Sequence, residues 1–440
     1  MLDGLAEQCT QALAEYGCPS VSVAVAEQGE VVLAEAYGQA DTATGRPATP
    51  GTVYGLASVT KPITATAVCL AADQGLLDLD APPAGDHRKN PPTLRQLLCH
   101  RGGLGAHYDF HYGGGDRPID ATRYEVQYRE PGTGFEYANL GYALLGRELE
   151  AVTGQDLGGF VRERVFEPLG LTRCRLGPRY PGPAPSAVRY TVDGRVCPPC
   201  DTSHPGASLG WATAGELALF AQTYHRLLKP GTAAAVLRAE PLNARLGYGL
   251  GWCVSHGGGP VVQSHGGGMG GVAAMVAAVP AQQLSVAVLT NSTRKAARDA
   301  VFHRIMAELV PGYRAELVDP AVPDPERPLE LPAGSWAGTV GTPEGELPVT
   351  LRLAADGRVE LRLAGRGATA PATASAAWDL RAAFALQLPT ADARINSPLL
   401  SVALRREAGG LTGVACAWKA GDGDGLLGNY LSHPCRFTPC

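Results

Sequence analysis

The chain has 440 residues, more than one typical domain, so two or three are expected. It is 45% hydrophobic and only 18% charged, which provides for a sizeable core and argues against wholesale disorder. A net charge of −5, without any Lys/Arg run, excludes an electrostatic case for nucleic acid or an anionic membrane as partner. The N-terminal stretch MLDGLAEQCTQALAEYGCPS lacks the basic and apolar regions of a signal peptide. It reads as an amphipathic helix with Leu5, Cys9, Leu13 and Tyr16 on one stripe. No apolar run reaches the length of a membrane span, and the expected address is cytoplasmic.

Alternating runs Val21–Ala26 and Val31–Ala36 flank a glycine turn and predict a strand hairpin. Helical patterns follow from Ser58 to Gly75, from Leu140 to Val152 (stopped by Gly154), and from Glu216 to Leu228 (closed by Pro230). Four short apolar runs, Tyr248–Val254, Val261–Ser264, Ala273–Val279 and Leu284–Thr290, read as successive antiparallel strands. A last helix covers Lys295 to Leu309. The fold class is therefore α+β: one antiparallel sheet with N- and C-terminal strands adjacent, packed by helices, with a mainly helical insert. This first domain spans residues 1–315. A Pro-rich acidic linker, 316–333, separates it from residues 334–440. There, clean alternation around Asp356-Gly357 and Gly409-Gly410 predicts a small all-β barrel.

Three short patterns carry chemistry. Ser58-Val-Thr-Lys61 places a serine and a lysine one helical turn apart. At a helix N-terminus, backbone N–H groups stabilise a developing oxyanion, and a desolvated lysine has a lowered pKa that suits a base. The same spacing recurs at Ser292-Thr-Arg-Lys295, where it reads as a helix cap followed by a solvated basic face. Spacing alone leaves both readings open at Ser58. Tyr137-Ala-Asn139 is the only Tyr-x-Asn in the chain. Tyr137 takes the Ser58 proton if Lys61 lowers its phenol pKa, and Asn139 bonds a substrate amide and the lysine; the alternative is a buried tyrosine and a capping asparagine. His265-Gly-Gly267 is one of several His-x-Gly sequences, distinguished because His265 leaves a predicted strand directly before a glycine run. Gly267 lets substrate backbone approach, and Gly268 is placed to supply an oxyanion N–H.

Eleven cysteines, an odd number, read as mostly free thiols in a reducing compartment. Cys197-Pro-Pro-Cys200 with His204 is half of a zinc pattern without a second pair, so no metal is expected. Residues 105–130, rich in Tyr, His, Gly and Arg, read as a substrate rim that includes Tyr108, or as a variable surface loop.

In this order, Ser-x-x-Lys, Tyr-x-Asn and His-x-Gly resemble the three motifs of the penicillin-recognising acyl-serine family. TLRQLLCHRGGL, FEYANLGYALLGRELEAVTG, VFEPLGLTRCRLG, YGLGW and VAVLTNS look like its class C β-lactamase-like branch, which includes esterases, D-peptidases, transacylases and peptide cyclases. The resemblance covers roughly residues 5–312, and the C-terminal β domain is similar to a lipocalin-like appendage found in that branch. It implies Ser58 as acylated nucleophile, and Lys61 and Tyr137 sharing base and acid work. It implies Asn139 positioning substrate, His265 holding Tyr137 and substrate, and Ser58 and Gly268 N–H groups as the oxyanion hole. It implies no metal or organic cofactor.

Departures from the pattern matter. His265 replaces the lysine of true class C β-lactamases, which points away from useful β-lactam hydrolysis. Cys99-His100-Arg101-Gly102 and Ser208-Leu209-Gly210-Trp211 replace usual segments beside the site, which points to altered substrate choice. The expected reaction is acylation of Ser58 by an ester, thioester or activated amide, followed by transfer to water or an amine. An amide-forming transacylase or peptide macrocyclase of natural-product biosynthesis is the first alternative, with Trp211 and the aromatic rim excluding water. A non-catalytic acyl or peptide sensor is the second.

Overall fold

The computed structural model describes residues 2–112, 119–394, 397–419, 421, 422 and 425–440. Part of the predicted rim, residues 113–118, lies outside them. A nine-stranded antiparallel sheet runs in the order Glu240–Pro241, Leu246–Tyr248, Cys253–Ser255, Gln263–Met269, Val272–Val279, Leu284–Thr290, Ser20–Glu27, Glu30–Asp41 and Arg46–Pro47. The first long strand pairs with the last, Val21 opposite Thr290, so the chain ends of this sheet meet as expected. Strand alternation sorts the faces. Val21, Val23 and Val25 pack with Leu5 and Cys9 of the helix Leu5–Tyr16, and with Phe302 and Ile305 of the helix Ala296–Leu309. Ala24 and Ala26 face the other way, toward Ala218 and Ala221 of the helix Ala214–Thr223.

The helix Thr60–Asp73 is apolar all round and buried along most of its length, the mark of a central helix. The helix Asn139–Thr153 packs on it and ends at Gly154, whose left-handed φ of 68° and N–H bond to Glu150 close the last turn. The predicted strand Tyr248–Val254 is instead two short strands, because Gly251 turns the chain at φ 84° and lies against Ala65 and Lys61 of the central helix.

Eight strands between Gly334 and Pro439 form a nearly closed antiparallel sheet around Leu351, Leu361, Leu380, Phe384, Leu404 and Phe437. The segment before it is less free than a linker: Glu326–Arg327 pairs with Ala374–Ser375, and Leu331 is buried. The barrel docks on the first sheet's insert by strand addition, with Tyr430 opposite Tyr108 and Leu431 opposite His107. Asn429 accepts from the Phe110 N–H (2.8 Å) and Ser432 donates to the Ala106 carbonyl (2.7 Å).

Candidate active site

Ser58 sits in the turn between the strand Tyr54–Ala57 and the helix that starts at Thr60, two residues later than the sequence suggests. The turn is sharp because Ala57 has φ 47°, a left-handed conformation that non-glycine residues adopt at a cost. Thr60 ties it down: its hydroxyl donates to the Ala57 carbonyl (2.6 Å) and accepts from the Gly210 N–H (2.8 Å). Ser58 is thereby freed from capping. Its Oγ receives a hydrogen bond from Lys61 Nζ at 3.2 Å, and the same Nζ donates to the Ala207 carbonyl at 3.2 Å. Lys61 is fully buried, and burial holds its pKa well below the ordinary lysine value of 10.5. A neutral amine beside a serine hydroxyl can accept that hydroxyl's proton.

Lys61 Nζ also lies over the Tyr137 ring, 4.6 Å from its centroid. The expectation that Lys61 lowers the Tyr137 phenol pKa does not hold. Burial raises it well above 10.0, Tyr108 adds to the rise, and only the Ser58 hydroxyl opposes it. Tyr137 is therefore a protonated phenol next to Ser58, suited to giving a proton rather than taking one.

Asn139 opens its helix, completely buried. Its Nδ2 donates to the His107 carbonyl at 2.7 Å, its Oδ1 has no partner among the described residues, and no bond to Lys61 forms. Behind it, Asp109 holds the 107–110 segment to the 202–204 segment. It accepts from Ser203 N–H (2.9 Å) and meets His107 Nε2 at 3.0 Å. Burial raises the Asp109 pKa, but the His107 bond and the His204 and His107 charges outweigh it and bring it to about 2.

His265 lies within a strand and does not end one. The strand Gln263–Met269 continues through the glycines, while its pairing with Cys253–Ser255 stops at Ser264 and leaves the edge open toward Ser58. Gly267 explains how strand and nucleophile turn fit together: a Cβ there would stand 2.1 Å from the Leu56 carbonyl oxygen. His265 does not hold Tyr137 as expected. Its Nε2 meets the Tyr248 hydroxyl at 3.0 Å and its Nδ1 the Gly266 carbonyl at 2.8 Å. Burial first, and the neighbouring Lys61 second, push its pKa down to about 3, so this position is neutral at ordinary pH.

These groups share a cavity of about 630 Å³ lined by Ser58, Tyr108, Phe135, Tyr137, Tyr248 and the 264–268 backbone. At its far wall, Ser292 is buried and its Oγ accepts from Arg294 N–H, while Lys295 is exposed as its spacing suggests and lays its stem along Gly268 at the rim of the cavity. Lys419 of the barrel reaches over the Tyr108 ring at 5.5 Å. Trp211 is not brought to the cavity. It stands opposite Gly55 in register, and its Nε1 donates to Gly177 at 2.8 Å, so it covers the strand leading to Ser58. Nor do Cys197, Cys200 and His204 converge as metal ligands among the described residues. Cys200 lies 3.9 Å from Arg189, and the His204 ring meets Ser208 and the Asp109 N–H.

His100 belongs to a segment that the sequence places beside the site, but its His-x-Gly looks like four others and gives it no role. Its carbonyl accepts from Glu136 N–H (2.9 Å) and its Nδ1 from Ala138 N–H (3.1 Å), so it grips the backbone on both sides of Tyr137. Its ring lies 4.3 Å from the Tyr137 ring, and it holds φ 56°. His100→Ala is expected to lower kcat about tenfold or more with little change in KM, since a misplaced Tyr137 weakens only the proton transfer. His100→Asn, which keeps an acceptor and tolerates positive φ, is expected to recover part of that loss. Steady-state kinetics of the pair checks this, and equal defects in both would contradict it.

The beta-lactamase family profile matches residues 5–310, the same stretch that carries all of these groups except Lys419 and the barrel. The chain belongs to the beta-lactamase family. It is 27% identical over 373 residues to penicillin-binding protein 4 of Amycolatopsis lactamdurans, covering 75% of this chain and 96% of that one. It is 34% identical over 193 residues to esterase EstB of Burkholderia gladioli, covering 37% of this chain and 48% of the esterase. The crystal structure of SurE with D-Leu matches with a TM-score of 0.66 at 24% identity, over 94% of this chain and 96% of that one, and so shares both sheet and barrel. Family members of this kind are serine hydrolases and acyltransferases, and this chain is an enzyme of that general class. Among the described residues no helix is long and apolar enough to cross a membrane.

Proposed function

We propose that Ser58 is the nucleophile of an acyl-transfer reaction, and that Lys61 is its base. The observation that carries this reading is Lys61 Nζ at 3.2 Å from Ser58 Oγ, stripped of water and lacking a carboxylate partner among its bonds. The donor carbonyl sits with its oxygen between the N–H groups of Ser58 and Gly268. Lys61 takes the hydroxyl proton as Oγ attacks. The Tyr137 phenol gives a proton to the departing oxygen, sulfur or nitrogen and regains one from Lys61. Water or an amine then enters and the same groups run in reverse. Tyr137→Phe is expected to slow acylation by about a hundredfold for donors with poor leaving groups and much less for p-nitrophenyl esters, whose leaving group needs no proton. Stopped-flow burst kinetics on both donor types checks it; equal slowing of the two would assign Tyr137 another role.

A neutral His265 removes the positive charge that the third motif carries in true class C β-lactamases, so β-lactams are poor substrates in this reading. Positive charge stands instead at Lys295 and Lys419, the latter depressed by burial and then by the neighbouring Lys295. This favours a carboxylate on one reactant, and an amino acid or peptide as acyl acceptor. Resemblance to an esterase and to a structure solved with D-leucine is compatible with both outcomes. The deciding experiment offers a peptidyl thioester with competing amines, once an amino acid and once its amide, and measures the ratio of amide product to free acid. Aminolysis favouring the carboxylated amine supports the transacylase reading, and hydrolysis alone removes it.

A further inference from the structure

A second cavity of about 590 Å³ opens between the outer face of the barrel and the 103–136 part of the catalytic domain. Its volume is in the range of small-molecule sites. Tyr128, Trp378, Trp418 and Tyr430 supply aromatic surface, and small residues such as Ala403 leave space between them. Trp418 is 36% exposed, a large apolar surface left uncovered. The charges around it are already matched: Arg129 pairs with Glu136 at 3.5 Å and Arg381 with Asp324 at 3.3 Å. A charged ligand gains nothing there, whereas an uncharged aromatic or branched aliphatic group buries apolar area.

The two cavities adjoin along one wall. Glu136 lines the second and the next residue, Tyr137, lines the Ser58 cavity. Trp418 lines the second, and Lys419 lies over Tyr108 of the first. Tyr430 of the second is paired in register with Tyr108, their rings 6.4 Å apart. Between them stand the rings of Tyr108 and Tyr430, so a donor held at Ser58 reaches the second cavity with a group beyond its reacting residue.

We propose that this cavity is a second subsite, which takes an uncharged aromatic or branched aliphatic side chain of a peptidyl acyl donor beyond the residue that carries the reacting carbonyl. The proposal rests on Ser58 being acylated, and the experiment separates the two. Thioester donors are compared: acetyl as reference, then N-acetyl dipeptidyl donors with phenylalanine or glycine at the distal position. For the wild type, kcat/KM with distal phenylalanine is expected to exceed that with glycine by tenfold or more. Ala403→Trp, which fills the cavity from the outward face of its strand, and Trp418→Ala, on a different strand, are each expected to cut that ratio at least fivefold. Melting curves verify that each variant folds. A wild-type ratio near one, or a ratio retained in both folded variants, overturns the subsite even if acetyl turnover is normal. Should no donor acylate Ser58, the nucleophile reading fails instead, and binding decides the subsite. N-acetyl-Phe-Gly-amide is expected to quench wild-type tryptophan fluorescence saturably and the Ala403→Trp protein much less, whereas equal or absent quenching overturns it.

Discussion

Lys61→Met is expected to slow acylation of Ser58 by about a hundred- to ten-thousand-fold while the protein stays folded. Methionine reproduces most of the buried aliphatic stem and lacks only the amine that reaches Ser58 Oγ and the Ala207 carbonyl. The loss is one of proton transfer, so it falls on kcat rather than on binding. Stability moves the other way. The folded-state pKa of Lys61 lies well below 10.5, so between the two values the unfolded chain holds a proton that the native chain lacks. Wild-type stability therefore rises with pH across that interval and is penalised below it. The variant loses that slope and is expected to be at least as stable near neutral pH. The same titration shapes activity: wild-type acylation rises as Lys61 loses its proton and levels off below pH 10.5, and the Met variant lacks that limb. Single-turnover rates and urea unfolding across the pH range check both halves. Undiminished acylation in the variant would remove Lys61 from the base role.

Gly267→Ala is expected to have the second largest effect. The new Cβ meets the Leu56 carbonyl oxygen at 2.1 Å and stands 3.3 Å from the Ser58 nitrogen. Both are backbone atoms, so no rotamer change relieves the clash. Either the strand Gln263–Met269 or the nucleophile turn moves by about an ångström. A displacement of that size costs on the order of a hundredfold in rate, and forced packing of this kind roughly 1–3 kcal/mol in stability. Measured kcat/KM and unfolding midpoint are both expected to fall. Full activity in this variant would mean that the open strand edge plays no part in binding the reacting carbonyl.

The fold was legible because its signals are periodic. Alternation from Val21 to Ala36 and from Leu284 to Thr290 marked the two strands that join the chain's ends, and the glycine after Thr153 marked a real helix end. What escaped was set by tertiary contact. Glycines 266–268 read as a strand break, yet the strand continues through them because only a residue without a side chain passes the Ser58 turn. Lys295 carries a surface spacing and is exposed, yet only the fold lays its stem along Gly268 at the rim of the cavity. Trp211 is expected from sequence to exclude water at the site, and strand pairing sends it opposite Gly55. His100 shares its local pattern with four other histidines, and only the fold puts it under Tyr137. The Tyr137 phenol is raised because enclosure, with Tyr108 beside it, outweighs the Ser58 hydroxyl that opposes it.

The most direct measurement is a mass map of the protein quenched during turnover of a p-nitrophenyl ester or thioester. A mass increment equal to the acyl group is expected on the peptide containing Ser58, absent from Ser58→Ala, which also loses turnover. An increment on another residue, or turnover that survives Ser58→Ala, would contradict the assignment of Ser58 as the nucleophile.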